Sequence, residues 1–328
     1  MRKYALFIFI ATISSLVGVF VSIKILPQTQ TLRNEKPIQR TMDKYSIENL
    51  AKAKILKGQI KLQSDNSFTF NFDPTLENKN EASVSGQINI PTASPNPAVR
   101  FPIILMIRGY VDQKIYKTGV GTQHAAEFFS QNGFITIAPD FLGYGTSSPE
   151  SNDVLESRFQ TYTTILSLLA SFDSIDKWDH KNVFIWAHSN GGQIALTTLA
   201  ITGKNNPTVL WAPVSKFFPY SILYYTDDLD DGGKYLRHEI ANFETLYDVN
   251  LYSFDKYLNN IKSPIQISQG TADDAVPFKW TDDLVKRLKS QNLDVNYFVY
   301  NGSDHNLMPA WNEVIQKDLI FFKNNIKS

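Results

Sequence analysis

The chain has 328 residues, 43% of them hydrophobic and 20% charged, which supports one large or two modest domains with a sizeable core. Its 32 basic and 32 acidic side chains balance to zero with no long basic run, which excludes an electrostatic footprint for nucleic acid. The absence of cysteine excludes disulfides and thiol catalysis, and the five histidines show no metal-ligand spacing, so neither a metal nor another cofactor is expected.

Arg2 and Lys3 precede an apolar stretch from Tyr4 to Ile23, about the 20 residues that span a bilayer as a helix. Ser22-Ile23-Lys24-Ile25-Leu26-Pro27 offers no clear small-residue cleavage site. An uncleaved single-pass membrane anchor is therefore expected over residues 1–26, with a cleaved signal peptide as the rival. Arg2, Lys3 and the terminal amine favour a cytoplasmic N-terminus, although Lys24, Arg33, Lys36 and Arg40 weigh against that bias. The expected orientation places the rest of the chain outside the membrane. Residues 27–45 are polar, lack periodicity and read as a linker.

Ser46 followed by Ile47-Glu48-Asn49-Leu50 reads as a capped short helix. Ile60 and Leu62, then Phe68, Phe70 and Phe72, then Val84, Ile88 and Ile90 alternate with polar residues. They predict an antiparallel hairpin plus a third strand at the entry edge of a larger sheet. Residues 46–98 form this β extension, closed by a loop from Pro91 to Pro97.

From residue 99 onward the pattern changes. Apolar runs at Pro102–Ile107, Phe134–Ala138, Val183–Ala187, Thr208–Ala212, Pro264–Ser268 and Val295–Tyr300 read as strands covered on both faces. Between them lie residues at helical spacing: Leu155, Phe159, Tyr162, Leu166 and Leu169; Trp280, Leu284 and Leu288; Trp311, Ile315, Leu319, Phe322 and Ile326. This alternation predicts an α/β fold, a mostly parallel sheet with helices on both faces and ligands at the C-terminal strand ends. Residues 214–262 break the rhythm with dense aromatics and no strand. They read as a helical insertion, either a lid over the strand ends or a surface subdomain with its own core.

The segment Ala187-His188-Ser189-Asn190-Gly191-Gly192 joins an apolar strand to a helical run. Strand, tight turn with a central serine, then helix is the context of a nucleophile elbow, whose strained apex demands small neighbours. Ser189 is the candidate nucleophile, and it needs a histidine base held by an acid. His305 follows the last strand in Asn301-Gly302-Ser303-Asp304-His305-Asn306, whereas His188 adjoins the serine and is expected to point away. The acid follows the strand before, where Asp273 and Asp274 stand side by side; both cannot face one histidine.

These stretches together resemble the catalytic domain of the prolyl-oligopeptidase-like peptidases, the dipeptidyl and acylaminoacyl peptidases, over residues 99–328. The likeness rests on His188-Ser189-Asn190-Gly191-Gly192, on Gly270-Thr271-Ala272-Asp273 with Val276-Pro277, on Gly302 before His305, and on Pro139-Asp140-Phe141-Leu142-Gly143-Tyr144-Gly145-Thr146-Ser147. It implies an α/β-hydrolase fold and a triad of Ser189, Asp273 and His305. It also implies an oxyanion hole from the amides of Tyr110 and Asn190. Arg108 stands where that family has histidine, and it either fixes the loop by other hydrogen bonds or raises the local potential. Asp140 lies upstream of the elbow and reads as a loop-fixing residue rather than the triad acid. Asp227-Asp228-Leu229-Asp230-Asp231 reads as a solvated acidic loop, with capture of a substrate amine as the alternative.

The resemblance implies a serine peptidase acting on small peptides. Carboxylester hydrolysis on the same machinery is the alternative, and a catalytically silent binding protein is the second. Residues 46–98 are too short for the substrate-filtering propeller of the family's large members, which needs several blades of about 40 residues.

Overall fold

The computed structural model describes residues 40–92 and 98–327. The anchor expected over residues 1–26, the linker up to residue 39 and most of the loop from Pro91 to Pro97 lie outside the described residues. Among those described, no helix is long and apolar enough to cross a membrane.

The folded chain starts earlier than its polar composition implies. Met42 and Tyr45 belong to the core, and Tyr45 is 1% exposed. Residues 40–45, read above as the end of a linker, therefore hold part of the core. The reason is a sparse apolar stripe, Met42, Tyr45, Ile47 and Leu50, that polar neighbours mask in the sequence. The Tyr45 hydroxyl donates to Glu156 Oε1 at 2.9 Å, which satisfies its one polar atom. Ser46 caps α1 (Ile47–Lys52) by accepting from the Asn49 amide.

Strands β1 (Gln59–Leu62), β2 (Ser67–Phe72) and β3 (Ala82–Asn89) form the antiparallel entry edge. Phe68, Phe70 and Phe72 are buried while Ser67, Thr69 and Asn71 are only partly covered, as a sheet with one core face requires. β4 (Phe101–Ile107), α2 (Gln123–Gln131), β5 (Ile135–Pro139), α3 (Val154–Ala170), β6 (Trp178–His188), α4 (Asn190–Thr202) and β7 (Thr208–Trp211) follow. The insertion contributes α5 (Tyr220–Leu223) and α6 (Lys234–Leu246); β8 (Ile265–Gly270), α7 (Phe278–Ser290), β9 (Val295–Tyr300) and α8 (Trp311–Asn324) complete the chain. One nine-stranded sheet results, in the order β1-β2-β3-β5-β4-β6-β7-β8-β9. β3 pairs antiparallel with β5, and every pairing from β5 to β9 is parallel. The β extension is thus continuous with the catalytic sheet.

Central strands β5 and β8 are buried along their whole length, which is why they read as unbroken apolar runs. α3 starts where the Asp153 carboxylate accepts from the amides of Leu155 and Glu156. Its buried face carries Leu155, Phe159, Tyr162 and Leu166. α4 is buried on nearly every side, so its position behind Ser189 is rigidly set. α2 escaped the sequence reading because Ala125, Ala126 and Phe129 make too short and weak an apolar stripe.

The insertion is helical, as its composition predicts, with short 3₁₀ turns after α5 and α6 and no strand. Its aromatics divide: Tyr220, Tyr224 and Tyr225 gather around Trp280 of α7 beside Val214 and Val276, and three others join the main core. Phe218, Phe243 and Tyr252 close around Phe159 of α3 at ring separations of 5.6, 5.8 and 5.1 Å. Each such ring contributes about 1.5–3 kcal/mol by burial, so the insertion is welded to the main core.

Candidate active site

Ser189 occupies φ 55° and ψ −122°, between the end of β6 and the first residue of α4. A side chain with a β-carbon pays a steric cost there, and surrounding structure must hold it. Three backbone hydrogen bonds do so. The Ser189 amide donates to Trp211 O, and its carbonyl accepts from Gly192 and Val214, all at 2.9 Å. Gly191 is required by close approach: a β-carbon there would lie 2.2 Å from Ile107 O. The loop after β4 meets the serine directly, since a β-carbon on Gly109 would lie 2.9 Å from Ser189 Cβ.

That loop is fixed by Arg108, which is 5% exposed. Its Nη1 donates to Gly109 O at 2.9 Å and its Nη2 to Asp140 O at 2.8 Å. The guanidinium lies over Tyr144 and Tyr116 at 4.0 and 4.5 Å, where cation–π attraction offsets desolvation. Of the two roles open for Arg108, its bonds support that of a loop clamp. Tyr110 follows, 72% exposed, and its amide meets no protein acceptor among the described residues. The same holds for the Asn190 amide at the start of α4, where the helix dipole favours negative charge.

Asp273 and Asp274 are separated by the fold. Asp274 is exposed, whereas the Asp273 side chain is fully buried. Both Asp273 oxygens lie against His305 Nδ1, Oδ1 at 3.0 Å and Oδ2 at 2.9 Å. Asp273 Oδ1 also accepts from the amides of Ala275 and Val276, and Oδ2 from Gln269 Nε2. Burial pushes this carboxyl up, but the His305 ring, the Val276 amide and Gln269 outweigh it and hold it below the usual carboxylate range. The loops meet through backbone as well, Ala272 N donating to Ser303 O at 2.9 Å.

His305 Nδ1 is thus committed to the acid, which leaves Nε2 as the nitrogen able to exchange a proton. Among the described residues no hydrogen bond joins the Ser189 hydroxyl to His305. Such contacts commonly tighten only when substrate arrives.

His188, set aside in the sequence because it adjoins the serine, has a supporting role. Its Nε2 lies 3.0 Å from His305 O, and the two rings are 4.6 Å apart. Burial and the neighbouring His305 push its pKa down to about 4, so it is neutral at pH 7. Gln269 and His188 were missed because nothing in sequence spacing marks which polar side chains a loop will close upon.

Asp140 is fully buried and saturated. Its Oδ2 accepts from Ser85 and Thr118 at 2.6 and 2.7 Å, and its Oδ1 from Tyr116 at 2.6 Å. It therefore fixes the loop after β5, as its place upstream of the elbow implies. In the acidic run, Asp227 pairs with Arg237, and Asp231 accepts from the amides of Gly233 and Tyr235; these are local structural bonds. Among the described residues no three His, Asp or Glu side chains cluster as a metal site would require.

The insertion reaches the site from one side. The Tyr225 hydroxyl donates to Ala275 O at 3.1 Å, and Gln193 Nε2 of α4 donates to the Ser221 hydroxyl at 2.9 Å. Beside Tyr110 and Asn190 a cavity of about 150 Å³ opens, lined among others by Tyr144, Glu150, Arg158 and Ile194.

A strained serine between a parallel strand and a helix, with a histidine–aspartate pair on later strand ends, defines the class: a serine hydrolase of the α/β-hydrolase fold. The particular family is given by residues 121–328, which match the prolyl oligopeptidase family; the chain belongs to it. The chain is 20% identical over 279 residues to prolyl endopeptidase FAP of Mus musculus, covering 84% of this chain and 34% of that protein, so it spans about a third of that relative's length. Among solved structures it resembles an acylaminoacyl peptidase of Pyrococcus horikoshii, with a TM-score of 0.58 at 14% identity, covering 83% of this chain and 42% of that one. It also resembles the α/β hydrolase GrgF from Penicillium sp. sh18, with a TM-score of 0.57 at 15% identity, covering 79% of this chain and 98% of that one.

Proposed function

We propose that this chain is a serine peptidase that cleaves small peptides through an acyl-enzyme. Ser189 Oγ attacks the acyl carbon while His305 Nε2 takes its proton; His305 returns that proton to the departing amine. Water then attacks the ester, His305 takes a proton from it, and Ser189 leaves with that proton. Asp273 holds the His305 tautomer and stabilises the imidazolium. The amides of Tyr110 and Asn190 meet the charge that develops on the oxyanion, a contribution whose loss costs about 10²–10³ in rate per donor.

The observation that carries this reading is the 2.9 Å contact of buried Asp273 with His305 Nδ1, on the sheet end that also holds strained Ser189. Its test is a fluorophosphonate probe, which should label Ser189. Ser189→Ala should abolish labelling and lower hydrolysis by about 10⁶-fold. Label retained by that variant refutes the assignment, and a wild-type chain that takes no label is a binding protein on a hydrolase fold.

Ester hydrolysis is the second reading. It is supported by the Ser189, Asp273 and His305 geometry, which suits an ester carbonyl equally, and among the described residues no propeller filters peptides. Turnover of short peptides against short-chain esters separates the two. We further propose that residues 1–26 anchor the chain in a membrane with the hydrolase on the extracytoplasmic side. Protease added to intact cells should then digest residues 40–328, and protection refutes that topology.

A further inference from the structure

Arg158 of α3 carries a charge that the fold leaves without a counterion. Its guanidinium is always ionised, and taking it out of water is unfavourable unless its donors are paired. Among the described residues its side chain makes one hydrogen bond, from Nη2 to the neutral Gln193 Oε1. Its Nε is buried with no partner, and no carboxylate of a described residue lies within 4.0 Å. Gln193 is itself held by Ser221 of the insertion, so the guanidinium is braced rather than loose. The donors left open, on Nη1 and the second hydrogen of Nη2, match a carboxylate, which pairs with a guanidinium through two parallel bonds.

Arg158 lines the 150 Å³ cavity that also touches Tyr110 and Asn190, the proposed oxyanion donors. At roughly 30 Å³ per water, that volume takes about five non-hydrogen atoms. Leu142, Tyr144, Tyr162 and Ile194 supply apolar wall for a methylene stem. The other charges facing the cavity are Arg108 and Glu150. Glu150 is exposed at the rim, and its oxygens already accept from Gln113 Nε2 and the Ser157 hydroxyl. Arg108 is committed to the carbonyls of its own loop and of Asp140, so Arg158 is the guanidinium of the cavity lining with donors to spare.

We propose that Arg158 is a specificity-determining residue and that the substrate's acyl part ends in a carboxylate, as an acidic amino-acid side chain does. The inference rests on the acyl-enzyme reading above. The isosteric pair N-acetyl-Glu and N-acetyl-Gln, each with an anilide and with an ester leaving group, tests it. In the wild type kcat/KM for Glu should exceed that for Gln by about 10-fold or more, the size of a charge-assisted bidentate contact. Arg158→Met should bring the ratio to one or below. Arg158→Lys, which keeps the charge but loses the fork, should lower it several-fold and covers the case in which the methionine variant fails to fold. A wild-type ratio near one, or an undiminished ratio in the lysine variant, overturns the role of Arg158. Labelling of Ser189 by fluorophosphonate together with a ratio near one removes this inference alone; no labelling removes the acyl-enzyme reading and this inference with it.

Discussion

Two loops at the C-terminal end of the sheet each open on a buried aspartate, and they do opposite things with it. After β5, Asp140 receives three hydroxyls, from Ser85, Tyr116 and Thr118. After β8, Asp273 receives two backbone amides and one glutamine, and keeps one face for His305. Both carboxylates are out of water and both are paired. The difference lies in what the partner can do next. Hydroxyls of Ser, Thr and Tyr hold their protons across the working pH range, and burial together with Asp140 pushes the Tyr116 hydroxyl further up. An imidazole exchanges its proton near neutrality. A buried acid among fixed donors is therefore a structural post, whereas one facing a titratable ring can support chemistry.

Removing the charge of each acid tests that contrast most strongly. Asp273→Asn should lower kcat by about 10⁴-fold, because the amide no longer selects the useful tautomer of His305. A loss below tenfold in steady-state hydrolysis would place the supporting acid elsewhere. Asp140→Ala should act on stability instead. It strands the buried Ser85 hydroxyl and removes the partner of the partly covered Tyr116 hydroxyl, and should cost about 2 kcal/mol in denaturant unfolding. If Asp140→Ala instead unfolds normally and loses activity as deeply as Asp273→Asn, the contrast between the two loops is broken.

The last test concerns His188 behind His305, where the effect is confined to a window of pH. Its folded pKa of about 4 lies below the ordinary histidine value, so between those values the unfolded chain binds the proton more readily. Stability should fall as pH drops from about 6.5 to about 4. His188→Gln should flatten that part of the stability curve. Equal slopes in variant and wild type, read by thermal unfolding across the window, would show that His188 is already free to ionise in the folded state.

Strand positions were legible because parallel strands such as β5 and β8 are buried on both faces and must be apolar throughout; β9, an edge strand only partly covered rather than buried on both faces, still runs over the residues its pattern predicted. The serine turn was legible because strain demands small residues close by in sequence. The linker boundary was not, because Met42 and Tyr45 sit among polar neighbours and only their packing reveals them. Nor did spacing separate Asp273 from Asp274 without the family likeness; the fold separates them by burying one and exposing the other.

The order of the parallel strands along the chain and the place of the strained serine turn are local information, carried by periodicity and by small residues at one turn, and the chain alone determined them. Which acid meets His305, that Arg108 clamps its loop, and that Arg158 stands without a counterion depend on groups far apart in sequence. Only packing sets those distances, because burial and pairing are properties of the assembled interior and not of any short segment.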